Sequence, residues 1–334
     1  MPRKKDLIIP VFISHRGCPN RCVFCNQVKI SGSSGDVTLD GLREYLEKSL
    51  GPDTAHATVA FYGGSFTGLP KGEQEGYLNV AGEFVGRGFA SGIRLSTRPD
   101  YMDTGIARFL KGMGVTVVEL GAQSMEPGAL LTSKRGHTAD DTESAARAVK
   151  DAGIMLGLQV MAGLPGDSPD GFIRTVDRVV ALEPEFARIY PALVLKGSEL
   201  EALWLSGEYV PLGLEEAVSL SADAVERFRG AGIKVIRLGL QASESLEAAY
   251  LAGPYHPAFG HMVESEIAFR RMEKSLAEGP SGRAEFRVNP AELSVYRGLK
   301  SSNVARLATL RGGLSVSIIA DQAVLRGGME ASVR

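Results

Sequence analysis

Three cysteines are the whole thiol complement of this 334-residue chain, and they fall within eight residues of one another. Cys18, Cys22 and Cys25 are spaced C-x3-C-x2-C in the segment GCPNRCVFCN. Three close thiolates can bind three irons of a cubane [4Fe–4S] cluster, and the fourth iron then lacks a protein ligand. A soft three-thiolate set with one open corner is what this spacing offers. A structural zinc site is the alternative; it wants a fourth ligand, and His15, three residues before Cys18, can supply one. Three unliganded core cysteines fit least well, because Gly17, Pro19, Asn20 and Arg21 around Cys18 are turn-forming or polar.

Such a loop must be held by regular elements. β-rich apolar runs stand at 7–14, 57–62, 93–96, 115–120, 154–161 and 186–190, with amphipathic helical stretches at 39–50, 71–85, 104–111, 138–152 and 170–182. A further helix at 214–230 and a strand at 234–240 follow. Strands alternating with helices predict βαβ units and a parallel sheet. The unusual segments HRGCPNRCVFCN, GGSFTG, TRPD, GAQS, AGLPGDS and PALVLKGS each lie just after a strand. In α/β barrels and open parallel sheets the site lies at the carboxyl ends of the strands, so these loops can surround one reaction centre.

Composition bounds the rest. At 44% hydrophobic and 23% charged residues the chain can bury a core. A net charge of −2 gives no whole-molecule attraction to nucleic acid or membrane. No stretch approaches the ~18 apolar residues of a membrane span. The apolar run after the basic opening contains Pro10 and reads as a first strand, not as a secretion signal. A cytoplasmic protein with reduced thiols is therefore expected, which favours cysteines as ligands.

The cysteine segment, with Phe24 between its last two cysteines, resembles the radical S-adenosylmethionine (SAM) superfamily, and within it the catalytic subunit of Elongator and its relatives. The likeness continues through FYGGSFTGLP (61–70), LSTRPDYMD (95–103), VELGAQS (118–124), KRGHT (134–138), GLPGDSP (163–169) and IYPALVLKGSELEALWLSGEY (189–209). It covers roughly 8–241, and matches in ordered succession are more specific than any one motif. The resemblance implies a partial (βα)6 TIM-like barrel, a [4Fe–4S] cluster on Cys18, Cys22 and Cys25, SAM at the open iron, and an external one-electron reductant. It places Phe24, Gly63, Gly64, Ser65, Arg98, Glu119, Gln123, Arg135 and Gln159 at the SAM site.

Several of these positions carry a second reading from the residues alone. Gly63 and Gly64 also suit a plain strand-to-loop turn. Arg98 can meet a carboxylate bidentately or pair with Asp100. Glu119, in an otherwise apolar strand, needs a partner, which a ribose diol or an arginine would satisfy. Arg135 binds the SAM carboxylate, stays near the substrate, or belongs to a basic helix entrance capped by Thr138.

Only about 90 residues follow the matched core, and no acetyl-CoA loop of the Q/R-x-x-G-x-G/A type appears in them. An Elongator-like protein without the acetyltransferase domain is expected. The expected organisation is a radical SAM core at 1–241, a helical connector at 242–282 and a small basic α+β tail at 283–334. From 279 onward eight Arg or Lys stand against four Asp or Glu, and VYRGLKSSNVARLATLRGGLSVSIIAD loosely resembles a KH-type unit. The basic tail favours an RNA substrate, a tRNA or rRNA base. A small molecule or tetrapyrrole is the second reading, and a non-catalytic Fe–S or zinc RNA-binding protein the third.

Overall fold

The computed structural model describes residues 7–19, 21–31, 37–276, 282–310, 312 and 314–333. The basic opening at 1–6, Asn20 and the turn-rich joint up to 281 lie outside the described residues. The chain divides into two compact units, Met1–Gly213 with Arg227–Tyr255, and Leu214–Glu226 with His256–Arg334. These units do not follow the partition at 241 and 282 expected from sequence.

The first unit contains, in chain order, β1 (Ile8–Phe12), β2 (Thr58–Tyr62), β3 (Gly92–Thr97), β4 (Val115–Gln123), β5 (Met155–Ala162), β6 (Phe186–Pro191), β7 (Val194–Leu195), β8 (Lys234–Leu238) and β9 (Tyr250–Ala252). Seven of them form one sheet in the order β1-β2-β3-β4-β5-β6-β8, and every pair is parallel. β7 and β9 form a separate antiparallel pair. The sheet is the expected incomplete α/β barrel, and the strand after the helix Leu214–Gly230 joins it as a seventh member.

Alternation decides which side chains reach the site. Ile93 and Leu95 are fully buried, whereas Arg94 and Ser96, which alternate with them, line a cavity inside the sheet's curve. The helices restart directly after the loops at the strand ends. Asp103, Thr138 and Ser168 each accept a backbone N–H of the first turn, from Ile106, Asp141 and Gly171. Caps of this kind fix where each loop must end.

One carboxylate ties five neighbouring strands. Glu119 of β4 is wholly buried. Its oxygens accept from Tyr62 on β2 at 3.1 Å, Gln159 on β5 at 3.1 Å and Arg188 on β6 at 3.1 Å. Arg188 approaches again through Nε at 2.6 Å, and Arg94 of β3 lies 3.5 Å away. Burial opposes the charge on Arg188, but Tyr190, Glu119 and Tyr62 together hold its pKa above the ordinary arginine value. Burial, followed by the charge of Glu119, pushes the Tyr62 hydroxyl up to about 12. Nearby, His137 is buried, and burial with Arg135 and Arg98 beside it lowers its pKa to about 3. It stays neutral.

The second unit has its own core. β10 (Arg283–Val288) pairs in parallel with β11 (Ser315–Ala320) and antiparallel with β12 (Met329–Val333). Phe286, Val288, Tyr296, Leu307 and Met272 are buried together. The helices Leu293–Arg297 and Ser302–Leu310 connect the parallel pair, and Gly298, Lys300 and Ser301 between them have positive φ. Asn303 is buried and donates to the carbonyls of Ser265 at 2.8 Å and Tyr296 at 3.1 Å.

Glu119→Gln keeps the shape and leaves two partly buried arginines without their counter-charge. It is expected to cost roughly 3–5 kcal/mol, read as a lower midpoint in urea unfolding; an unchanged midpoint would remove the network from the stability argument. His137 adds a pH signature. The unfolded chain takes up a proton near pH 6.5 that the folded chain refuses until about pH 3, so His137 costs stability as pH falls below about 6.5. The stability gap between wild type and His137→Gln should shift in the variant's favour by about 2 kcal/mol between pH 7.5 and pH 5. A gap independent of pH would contradict the depressed pKa.

Candidate functional site

The cysteines sit on the loop that leaves β1, at the carboxyl end of the strand. His15 and Gly17 take positive φ, which turns the chain back over the sheet. Arg16 N–H bonds the Ile13 carbonyl at 3.0 Å, and Cys25 N–H bonds the Cys22 carbonyl at 2.9 Å. Val23 is held from both sides: its N–H donates to Ser133 at 3.2 Å, and its carbonyl accepts from Leu200 at 2.8 Å. Its side chain is buried with Val194, Leu200 and Tyr209. Phe24 packs against that cluster and against Ala129, Met161, Leu164 and Ala192, while also lining the cavity. The loop is therefore anchored before any ligand arrives.

Cys18 is exposed, Cys22 buried and Cys25 intermediate, and all three line the same open cavity of about 1870 Å³. Burial, then the neighbouring Cys22 and Cys18, pushes the Cys25 thiol up to about 12. Burial and Cys22 also raise Cys18, partly offset by Arg98 and Arg135. The three thiols thus feel one another's charge. Arg135 Nη1 lies 3.1 Å from Cys22 Sγ, a donor aimed at the sulfur.

The loop after β2 packs directly on the cysteine loop. A Cβ on Gly64 would collide with the carbonyl oxygens of Arg16 and Ile13, so this crossing requires glycine. Gly63 has φ +89 and its carbonyl accepts from His15 at 2.9 Å. Both glycines line the cavity, but Ser65 is wholly buried below it. Its hydroxyl bonds Thr97 Oγ1 at 2.9 Å and accepts Arg98 N–H at 3.2 Å, joining the loop to the end of β3.

Arg98 pairs with Asp100 through two bonds of 3.0 and 2.9 Å and also donates to the Arg135 carbonyl. Local pairing therefore occupies part of its guanidinium, yet Nη1 is buried without a partner. The Nε of Arg135, the Oε1 of Gln123 and the Oγ of Ser96 are likewise buried without partners. All four residues line the cavity beside the cysteines. Buried polar groups left unpaired cost about 1–3 kcal/mol each, and four of them on residues that line one cavity mark its surroundings as built for a polar ligand. Gln159 also lines the cavity, with its amide on Glu119. Glu119 does not reach the cavity surface; arginines, not an open face, satisfy it.

A zinc site built on His15 finds no support in this geometry. Its Nε2 accepts the Gln27 N–H at 3.0 Å. Among the described residues no three His, Cys, Asp or Glu side chains are gathered tightly enough for a single metal ion. A cubane, whose ligands sit on separate irons, tolerates thiols set farther apart.

Sequence reasoning passed over Ser96, Arg94, Arg188, Tyr62, Tyr190 and Arg237, all of which line the cavity. The available signal was a charged or hydroxylated residue between two apolar ones in a strand, as in Ile93-Arg94-Leu95-Ser96.

Residues 12–179 match the profile of the Radical SAM superfamily, and residues 184–268 that of the Radical_SAM C-terminal domain. A tRNA uridine(34) acetyltransferase of Methanocaldococcus jannaschii is 37% identical over 130 residues, 38% of this chain and 24% of that protein. Elongator complex protein 3 of Homo sapiens is 31% identical over 140 residues, 39% of this chain and 24% of its own length. An uncharacterised protein of M. jannaschii is 27% identical over 237 residues, 67% of this chain and 72% of its own. This chain thus matches about a quarter of the length of the acetyltransferase and of the Elongator protein.

Among solved structures, the archaeal Methanocaldococcus infernus Elp3 with an N-terminal deletion superposes with a TM-score of 0.62 at 22% identity, over 80% of this chain and 62% of that one. Coproporphyrinogen III oxidase of Escherichia coli gives 0.51 at 16% identity, over 68% and 53%. Both share the fold. No helix among the described residues is long and apolar enough to cross a membrane. The profile match spans half the chain, from the thiol loop through the residues that carry the unpaired polar atoms, and this enzyme belongs to the radical SAM superfamily.

Proposed function

We propose that Cys18, Cys22 and Cys25 hold a [4Fe–4S] cluster, that SAM binds at its open iron, and that the substrate is an RNA base. One observation carries the reading: three cysteines of one anchored loop share a cavity lining with Ser96, Arg98, Gln123 and Arg135, each of which keeps one buried polar atom unpaired. When bound and reduced by an external one-electron donor, the cluster supplies the electron that splits SAM into methionine and a 5′-deoxyadenosyl radical.

The chain's own residues bind, orient and shield. The unpaired Nη1 of Arg98 and Nε of Arg135 offer charge-assisted donors suited to the SAM carboxylate. The free carbonyl oxygen of Gln123 offers an acceptor for its ammonium, and Ser96 and Gln159 offer polar contacts to its ribose. Phe24 forms an apolar wall that keeps water away from the reacting bond. Glu119 and Ser65 act from behind this wall, by fixing Gln159 and the end of β3. The neutral His137 avoids adding a third positive charge beside Arg98 and Arg135.

Two considerations favour RNA. Relatives that match 38% of the chain are named for tRNA uridine(34), and the cavity is lined by more cations than anions.

Anaerobic reconstitution with SAM and dithionite should yield 5′-deoxyadenosine. Cys22→Ala should lose both the visible absorbance of the cluster and 5′-deoxyadenosine, a fall of at least about a hundredfold. A variant that cleaves SAM reductively at the wild-type rate would refute the assignment of the thiols. Bulk tRNA should raise 5′-deoxyadenosine output above the level without RNA; the absence of any rise would count against the RNA substrate.

A further inference from the structure

Beside the SAM wall, the inner face of the sheet carries a second polar surface that the reading above does not use. Arg94, Arg188 and Arg237 stand on β3, β6 and β8 and line the cavity. Arg188 and Arg237 are register partners on adjacent strands, brought level by the irregularity that follows Ala187. Among the described residues Glu119 is the one carboxylate engaged with this group, and it pairs with Arg94 and Arg188. Two positive charges are therefore left unmatched.

Arg237 shows the imbalance most clearly. Its Nε donates to the Gly239 carbonyl at 3.1 Å, and among the described residues it makes no ion pair. Arg188 spreads its donors over Glu119, Tyr62 and Tyr190, the last at 3.4 Å. Aromatic rings hold two of the guanidiniums in place: Arg94 lies 4.9 Å from the Phe186 ring centroid and Arg188 5.6 Å from that of Tyr62. Lower in the cavity Lys234 and Glu185 contribute one charge of each sign.

Preoriented guanidiniums with phenol hydroxyls between them and an excess of positive charge suit an oxyanion with several acceptor oxygens. We infer that Arg188 and Arg237, with the hydroxyl of Tyr190, form a subsite for a phosphate group of the substrate. The inference rests on the proposed function for its setting. Gln159 of the SAM wall bonds Glu119, and Glu119 bonds Arg188, so the phosphate would be anchored one side chain away from the proposed SAM site. A phosphate there leaves the attached nucleoside to reach across the cavity toward the cysteine loop. Glu119 sets the balance: it offsets part of the cationic charge, so that the surface folds, and leaves enough to attract an anion.

The test uses the reconstituted, SAM-loaded enzyme and isothermal titration at low ionic strength, where charge contributions are least screened. The probes are the four nucleoside 5′-monophosphates and the four nucleosides. At least one monophosphate should bind about tenfold or more tightly than its nucleoside. Arg237→Met should remove about tenfold of that monophosphate's affinity and leave nucleoside binding in place, while Arg237→Lys should recover most of it. Equal affinity for each nucleotide and its nucleoside, or an Arg237→Met protein that binds monophosphate like wild type, would overturn the subsite. Competition by a short single-stranded RNA assigns the phosphate to an RNA chain; displacement by free nucleotides alone assigns it to a small substrate, and either keeps the subsite. Formation of 5′-deoxyadenosine by the wild-type enzyme is measured separately, so a failed radical SAM assignment and a failed phosphate site give different results.

Discussion

A buried carboxylate must be answered by its surroundings, and most of the sheet's inner face is organised around Glu119. Its partners come from β2, β3, β5 and β6, so one side chain on β4 sets the register of five strands. A slip by one residue on any strand would turn its partner toward the helices and strip the buried charge of one of its contacts. An apolar inner face would impose no such penalty. The outer face does the ordinary work of burial: Ile93, Leu95, Phe61 and Val59 are among its fully buried residues. The incomplete barrel thus has two kinds of core, apolar outside and ionic inside. The ionic one is what allows the cavity to stay polar.

The thiol loop depends on that scaffold through close backbone contact. Gly64 lets the loop after β2 pass against Ile13 and Arg16, and Val23 is pinned by Ser133 and Leu200. The sulfurs are then presented with Arg135 already on Cys22. Burial, followed by the charge of neighbouring thiols, raises the pKa of Cys18 and Cys25, so these two resist ionising beside Cys22. Cations at Arg98 and Arg135 lessen that resistance, and ligation would replace three protons with metal charge. The same two arginines therefore face two tasks, toward the sulfurs and toward a carboxylate, and each retains one unpaired nitrogen for the second.

The fold was legible because its signals are long-range in pattern and simple in kind. Six apolar runs each ended in a peculiar loop, and the structure places those runs side by side in one parallel sheet. Short elements escaped. The helices Pro127–Thr132, Glu199–Leu205 and Glu244–Ala249 have six or seven residues, too few to display a helical period. β12 and the β7–β9 pair were also missed; their pairing depends on tertiary context. At the site, the cysteines announced themselves by spacing. Glu119 was noticed as a charge in an apolar strand, but the two solutions open to it, ribose or arginine, are equivalent in sequence; Arg94 and Arg188 provide the second. Arg237 was invisible for a different reason. Strict alternation would send Ile236 and Arg237 to opposite faces, and only the register shift between β6 and β8 brings Arg237 level with Arg188.

That shift also separates two requirements placed on one cavity. A site that generates a radical must hold its cofactor in one orientation, which short, fully engaged contacts to a rigid wall achieve. A substrate that enters and leaves needs contacts strong enough to orient it and loose enough to release it. Buried, multiply bonded groups such as Ser65 and Glu119 suit the first requirement. A half-buried arginine with one backbone bond and no counter-ion suits the second, because its charge is available without breaking an existing pair. β8 closes one edge of the sheet, so a side chain there can change its partners without disturbing the five strands locked by Glu119. The edge strand is where this architecture can vary its substrate while leaving the thiol loop and the inner ionic core untouched.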